Sequence, residues 1–270
     1  MERIVNSIGV MFGITLVRYF LVAGLFFIVF YKLFASRMKR AKIQGRIAGN
    51  PDFAREISYS LVSCLIFAII GAVILYTPIV DHTLIYQRID DYPLWYFPVS
   101  VALSLVIHDT YFYWIHRLLH HKRLFRLAHL VHHKSVNPSP WTSYSFHFAE
   151  SVLEGGIMVV LAFVLPMHPL AIFLFVLIGF IINVYGHLGY EIMPKGLRHS
   201  WLFQVLNTSV HHNLHHSKFK GNYGLYFRIW DRVCGTEHPD YVKEYDKIQQ
   251  QRFGELQTSV RKIDENRMTA

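Results

Sequence analysis

Four long apolar runs limit what this chain can fold into more than any other feature. The first covers about residues 10 to 34 and is interrupted by Arg18; the second covers about 59 to 80. A third starts near Leu94, and a fourth covers about 151 to 185. Spanning the hydrocarbon of a bilayer takes roughly 20 apolar residues in a helix. Inside lipid the backbone must satisfy its own polar groups, which a helix does within one segment. The runs therefore predict an all-α, multi-pass membrane bundle of about four spanning or hairpin helices. Composition agrees: 53% of residues are hydrophobic and only 17% charged, against about a quarter charged in ordinary globular domains. The N-terminus lacks a signal-peptide layout, because its apolar run has positive charge behind it and a cleavable signal carries charge in front.

Charge orients the bundle. Lys32, Arg37, Lys39, Arg40, Lys42 and Arg46 follow the first run, and the positive-inside rule makes that loop cytoplasmic. The loop from 81 to 93 sets Asp81, Asp90 and Asp91 against Arg88 alone, which fits the outer side. The third run opens on Trp95, Tyr96 and Phe97, an interfacial aromatic belt, and turns polar from His108 onward. Pro166-Met167-His168-Pro169 should break the fourth run into a hairpin with a short first arm. The chain from about Met193 is then expected to be a cytosolic cap, with Tyr241 to Ala270 a charged surface helix or frayed tail. The net charge of +9 is explained by cytoplasmic loops, and no basic face on a soluble fold suggests nucleic acid. Cys64 and Cys234 suggest no disulfide.

The sequence holds 17 histidines, most of them clustered. His116, His120 and His121 form one group; His129, His132 and His133 a second; His187 stands alone; His211, His212, His215 and His216 form the last. On a helix, positions i+3 and i+4 lie about 60° and 40° from i. The pattern HxxHH, present at 129/132/133 and 212/215/216, is therefore expected to aim three imidazoles at one point. His116 and His129 would stand about 140° apart on one straight helix, so a break is predicted between His120 and Leu124, although no Pro or Gly marks it. The topology puts every cluster on the same side of the bilayer. Asp109, Glu150, Glu191 and Asp231 are candidate hydrogen-bond acceptors behind the rings. His82, His168, His199 and His238 fit ordinary structural roles, and His108, His147 and His211 stay unassigned.

Imidazole suits zinc, copper, iron and nickel. Structural zinc is usually Cys-rich, and the HExxH protease signature is absent. Nine or ten histidines are too many for one ion and suit two. Two irons with open positions would activate dioxygen against an unactivated C–H bond. The runner-up is a divalent-metal transporter or sensor, which needs ligands along a trans-bilayer path.

The ordered set HDTYFYWIHRLLHH (108–121), HLVHHKSVNPSPW (129–141), the His187 segment, HHNLHH (211–216) and NYGLYFRIWDRVCGTE (222–237) resembles the fatty acid hydroxylase superfamily, the sterol desaturase group of membrane di-iron enzymes. The resemblance covers about 94 to 237. It implies an N-terminal membrane part (1–93), a di-iron domain (94–237) and a tail (238–270). It also implies two iron ions, O2, and electrons from a separate protein such as cytochrome b5, ferredoxin or a reductase. The substrate would be a sterol, fatty acyl chain or sphingolipid-like lipid, hydroxylated or desaturated. By position the ligands would be His116, His120 or His121, His129, His132, His133, His187, His212, His215 and His216. Where some members have HxxxH, this chain has His187 followed by Glu191, so Glu191 would be a ligand or an acceptor, or that ligand is missing. Tyr113, Trp114, Trp141 and Phe146 are candidates for a lipid channel or for plain membrane packing.

Overall fold

Each apolar run folds into helix. The computed structural model describes residues 2–46 and 48–268. Helix α1 (Glu2–Phe27) runs on as a π-helical stretch, Ile28–Leu33, and α2 covers Asn50–Tyr76. Helix α3 (Tyr96–Leu119) is followed by the short α4 (Leu130–His133), then α5 (Phe148–Val164) and α6 (Pro169–Gly186). Helix α7 (Ser209–Lys218) carries the last histidine group, and α8 covers Tyr241–Met268. Among the described residues there is no strand, only three isolated bridges.

Three helical segments are long and apolar enough to cross a membrane: Glu2–Leu33, Asn50–Tyr76 and Pro169–Gly186. Helix α3 is long, but its C-terminal half carries the polar run from His108. Helix α5 has 17 residues, about 26 Å at 1.5 Å each, short of the hydrocarbon thickness of about 30 Å. The turn between α5 and α6 falls at 165–168, where the proline pair predicts it. His168 caps α6 by accepting from Leu170 N at 3.1 Å. The outer face of α1 exposes Val10, Val17, Leu21 and Leu25, apolar surface that only lipid or another apolar partner covers well.

The helices pack through small residues. Tyr19 and Ala23 of α1, Cys64 of α2 and Phe180 and Val184 of α6 form one buried cluster with Tyr144. A Cβ on Gly179 would collide with the Tyr226 hydroxyl, so this glycine lets the cap sit against α6.

At the end of α3 the backbone turns sharply. Leu119 is the last residue of α3, His120 caps it, and His121 is extended (φ −63°, ψ 138°). That is the break the azimuth argument requires, and it folds 122–133 back over α3. The following loop is pinned to α2 by buried Glu56, which accepts from Ser135 Oγ at 2.7 Å and Ser139 Oγ at 2.6 Å. Helix α8 is more than a surface helix: Tyr241, Tyr245 and Ile248 are buried against Val210 and Leu214 of α7. The C-terminal segment thus covers the helix that carries the last histidines.

Candidate metal centre

Nine histidines converge in two adjacent groups. His116, His120, His129, His133 and His215 form one, and His132, His187, His212 and His216 form the other. Within the first, Nε2 atoms approach at 3.0 Å (His116–His129 and His133–His215), 3.1 Å (His120–His133) and 3.2 Å (His120–His215). Within the second, the separations are 2.9 Å (His187–His212), 3.2 Å (His212–His216) and 3.3 Å (His132–His187). The groups touch side by side, with His133 and His216 ring centroids 4.9 Å apart.

The expectation that each HxxHH aims at one point is corrected. His129 and His133 join the first group and His132 the second; His212 and His216 join the second and His215 the first. Helix geometry supplies the reason. Positions i and i+4 differ by about 40°, but i+3 and i+4 differ by about 100°. Each motif therefore feeds both groups and holds them together. Of the adjacent pair His120 and His121, the structure brings in His120, half-buried, and leaves His121 exposed beyond the chain break.

The outer nitrogens reveal the charge state. His116 Nδ1 donates to Tyr223 O (2.9 Å), His215 Nδ1 to Gly221 O (2.7 Å), His216 Nδ1 to Ser135 O (3.0 Å) and His187 Nδ1 to Asn183 O (2.8 Å). His129 Nδ1 donates to Glu150 Oε1 at 2.7 Å. Carbonyl and carboxylate oxygens accept, so these rings carry hydrogen on Nδ1, and burial, which disfavours the charged ring, leaves a lone pair on Nε2. The 3.0 Å contact of His116 with His129 then sets lone pair against lone pair and is no hydrogen bond. A cation between them removes the repulsion. Burial, reinforced by neighbouring imidazoles, holds His129, His132, His212, His215 and His216 far below the ordinary histidine range, and brings His133 to about 3. Neutral rings with inward lone pairs fit two metal ions, one for each group.

Asp109, Glu191 and Asp231 do not back the rings as expected. Asp231 accepts from Tyr223 N (2.9 Å), Gly224 N (2.7 Å) and Thr236 Oγ1 (2.7 Å). Asp109 accepts from Tyr226 N and Phe227 N, and Glu191 from Tyr185 Oη, Met193 N and Val210 N. These carboxylates mainly satisfy backbone amides of the segments that position the histidines. Glu191 lies outside both groups, with its oxygens accepting from the amides of the chain around it. Of the four acids, Glu150 alone hydrogen-bonds a ring of the two groups, and Asp231 lies 3.9 Å from the His211 ring outside them. Glu150→Leu is expected to lower turnover about 10–100-fold by freeing His129, whereas Glu150→Gln, which keeps an acceptor, should lose much less. Steady-state rates of the two variants check this.

Sequence reasoning missed Asn183, Ser135 and Glu56, which act through backbone carbonyls or a neighbouring serine and carry no motif. His108 meets the Tyr226 hydroxyl at 2.8 Å, and His147 caps α5 through Ala149 N. His211 is fully buried beside Tyr241, outside both groups.

Beside the histidines lies a cavity of about 270 Å³ among α1, α2, α3, α5 and α6. Its walls are mostly apolar. Phe112 and Phe146 line it and also pack on the metal centre, 4.9 Å from His116 and 5.0 Å from His132. Of the four channel candidates only Phe146 lines the cavity. Tyr113 meets Thr236, Trp114 faces outward, and Trp141 packs on Tyr19 and Phe27. All nine histidines gather at one end of the bundle, which removes support for the transporter reading.

The pattern described as fatty acid hydroxylase matches residues 101–236. A Delta(7)-sterol 5(6)-desaturase of Gibberella zeae is 35% identical over 62% of this chain and 50% of its own length. Lathosterol oxidase of Mus musculus is 30% identical over 80% of this chain and 75% of its own. Methylsterol monooxygenase 1 of Rattus norvegicus is 33% identical over 58% and 53%. The chain thus spans half the length of the first of these relatives and three quarters of the second. No solved structure matches.

Proposed function

Because this chain belongs to the fatty acid hydroxylase family, we propose that it is an integral-membrane oxidoreductase that hydroxylates or desaturates a sterol. One observation carries the reading: two groups of inward-facing imidazole lone pairs lie directly behind an apolar cavity enclosed by membrane helices. When bound, two iron ions would supply the dioxygen activation that an unactivated C–H bond requires. The chain's own residues do the rest. Five outer hydrogen bonds fix ring orientation and tautomer. Phe112 and Phe146 wall the cavity where it meets the centre and keep that junction apolar. The cavity is walled by helices, and in our reading a lipid enters it sideways from the bilayer.

Electrons come from a separate protein, in our reading an acidic carrier such as cytochrome b5, a ferredoxin or a reductase, on the cytoplasmic side. The loop charge at 32–46 supports that side. His120 is the one half-exposed member of the two groups. It lines an open groove with Lys122, Phe125, Arg126 and Phe219, and no Asp or Glu occurs between Asp109 and Glu150. A cationic rim beside His120 suits an acidic donor. Charge reversal by Lys122→Glu with Arg126→Glu is expected to raise the KM for such a donor about tenfold or more, with turnover from a small chemical reductant unchanged.

The test of the activity is reconstitution. The iron-loaded protein, given lathosterol, a reductant and O2, should return a sterol short of two hydrogens or carrying one more oxygen, seen by mass spectrometry. An unchanged sterol under turnover conditions would remove the proposal.

A further inference from the structure

The aromatic rings around the histidines divide by chemistry. Among the described residues, five rings other than histidine pack on the nine: Phe112, Phe125, Phe146, Phe219 and Tyr223. A phenyl ring resists one-electron oxidation, whereas phenol and indole rings give up an electron readily. Tyr223 is therefore the one easily oxidised ring of the five. It stands 5.0 Å from His120, 5.7 Å from His215 and 5.8 Å from His116, all in the five-histidine group.

Oxidisable rings continue outward from it. Tyr113 lies 6.3 Å from Tyr223, and Trp230 stacks on Tyr113 at 5.9 Å with an interplanar angle of 21°. Trp114 is 5.3 Å from Tyr113 and 5.5 Å from Trp230. Tyr113 is fully buried and Trp114 is 48% exposed, so the rings lead from the centre to the surface. None of the four lines the apolar cavity. Electron tunnelling falls off steeply with distance, and rings in contact exchange electrons fast.

Hydrogen bonding prepares Tyr113 for oxidation. Thr236 Oγ1 gives its one hydrogen to Asp231 Oδ1 at 2.7 Å. In its 3.0 Å contact with the Tyr113 hydroxyl, Thr236 is therefore the acceptor and Tyr113 the donor. Arg117 Nη1 donates to the same hydroxyl at 3.2 Å. A phenol that has lost an electron becomes strongly acidic. This polarity gives its proton a route, from Tyr113 to Thr236 while the Thr236 proton moves to the Asp231 carboxylate.

We propose that Tyr223, Tyr113, Trp230 and Trp114 form an electron relay that protects the centre when an oxidising equivalent arises there with no lipid to consume it. The proposal rests on the O2-dependent reading above and adds a second outlet to it. Tyr223 gives one electron inward, and Tyr113 refills Tyr223 as its proton shifts toward Asp231. Trp230 or Trp114 refills Tyr113, and the proton returns. A thiol in solution refills the tryptophan and releases its own proton to water. Two passages turn two thiols into one disulfide and deliver the two electrons that a C–H bond would otherwise supply.

Iron-loaded protein mixed with hydrogen peroxide in the absence of sterol tests this. Rapid freezing and electron paramagnetic resonance read the tyrosyl radical, and peptide mass spectrometry reads oxygen added to Trp114 and Trp230 above a metal-free control. The wild type should show both, and glutathione should suppress the tryptophan oxidation. Tyr223→Phe keeps the ring and the carbonyl that holds His116, and should lose both signals, with oxidation falling on the histidines instead. Tyr113→Phe should break the relay beyond Tyr223 and spare both tryptophans, which gives an independent arm if Tyr223→Phe fails to fold. Unoxidised tryptophans in a wild type that still converts lathosterol would overturn the relay and leave the sterol reading in place, as would undiminished tryptophan oxidation in either variant. A wild type that neither converts lathosterol nor forms a radical would overturn the sterol reading, and the relay with it.

Discussion

His215→Ala is expected to abolish turnover while the protein stays folded in the membrane. Its ring stands within 3.0 Å of His133 Nε2 and 3.2 Å of His120 Nε2, so it is central to the five-histidine group. Changing a partner behind a metal ligand costs about 10–100-fold; losing the ligand itself should exceed that range. His132→Ala should do the same through the other group, because His132 approaches His187 at 3.3 Å. Neither ring lies in a membrane-spanning helix, so insertion should be unaffected. Membrane fractionation with turnover assays checks both variants, and full activity in either would remove that group from the chemistry.

Asp231→Ala is expected to cost about 3 kcal/mol or more of stability, because a buried carboxylate accepting several bonds leaves each donor unsatisfied when removed. Asp231 is fully buried, and it holds Tyr223 N, Gly224 N and Thr236 Oγ1. The same segment supplies the carbonyls of Tyr223 and Gly221 that orient His116 and His215. Loss of Asp231 should therefore loosen His116 and His215 along with the fold. A lowered unfolding temperature together with weaker metal retention is the expected result; weaker retention at unchanged stability would contradict the structural half of this claim.

The sequence made some of this plain and hid the rest, for physical reasons. Apolar length revealed the helices, and Pro166 with Pro169 revealed the hairpin. Azimuth alone required a break between His120 and Leu124, and the chain turns at His121. In HxxHH the roughly 100° between neighbouring residues sends His132 and His133 to different groups, so the motif does not converge on one point. The pairing behind the rings was hidden because four of the five acceptors are backbone carbonyls, which no side-chain motif records. Asp109, Glu191 and Asp231 were conspicuous as acids near histidines, but long-range packing gave their oxygens to backbone amides instead. The role of α8 was equally illegible: its charged composition suggests a surface, yet Tyr241, Tyr245 and Ile248 bury against α7.

The most direct test of the two-group centre is metal content per chain. Wild-type protein expressed with iron and purified under reducing conditions should carry about two ions, one for each histidine group. His187→Ala combined with His212→Ala, which empties half of the four-histidine group, should carry about one. A wild-type value of one, or a variant value equal to the wild type, would contradict the account.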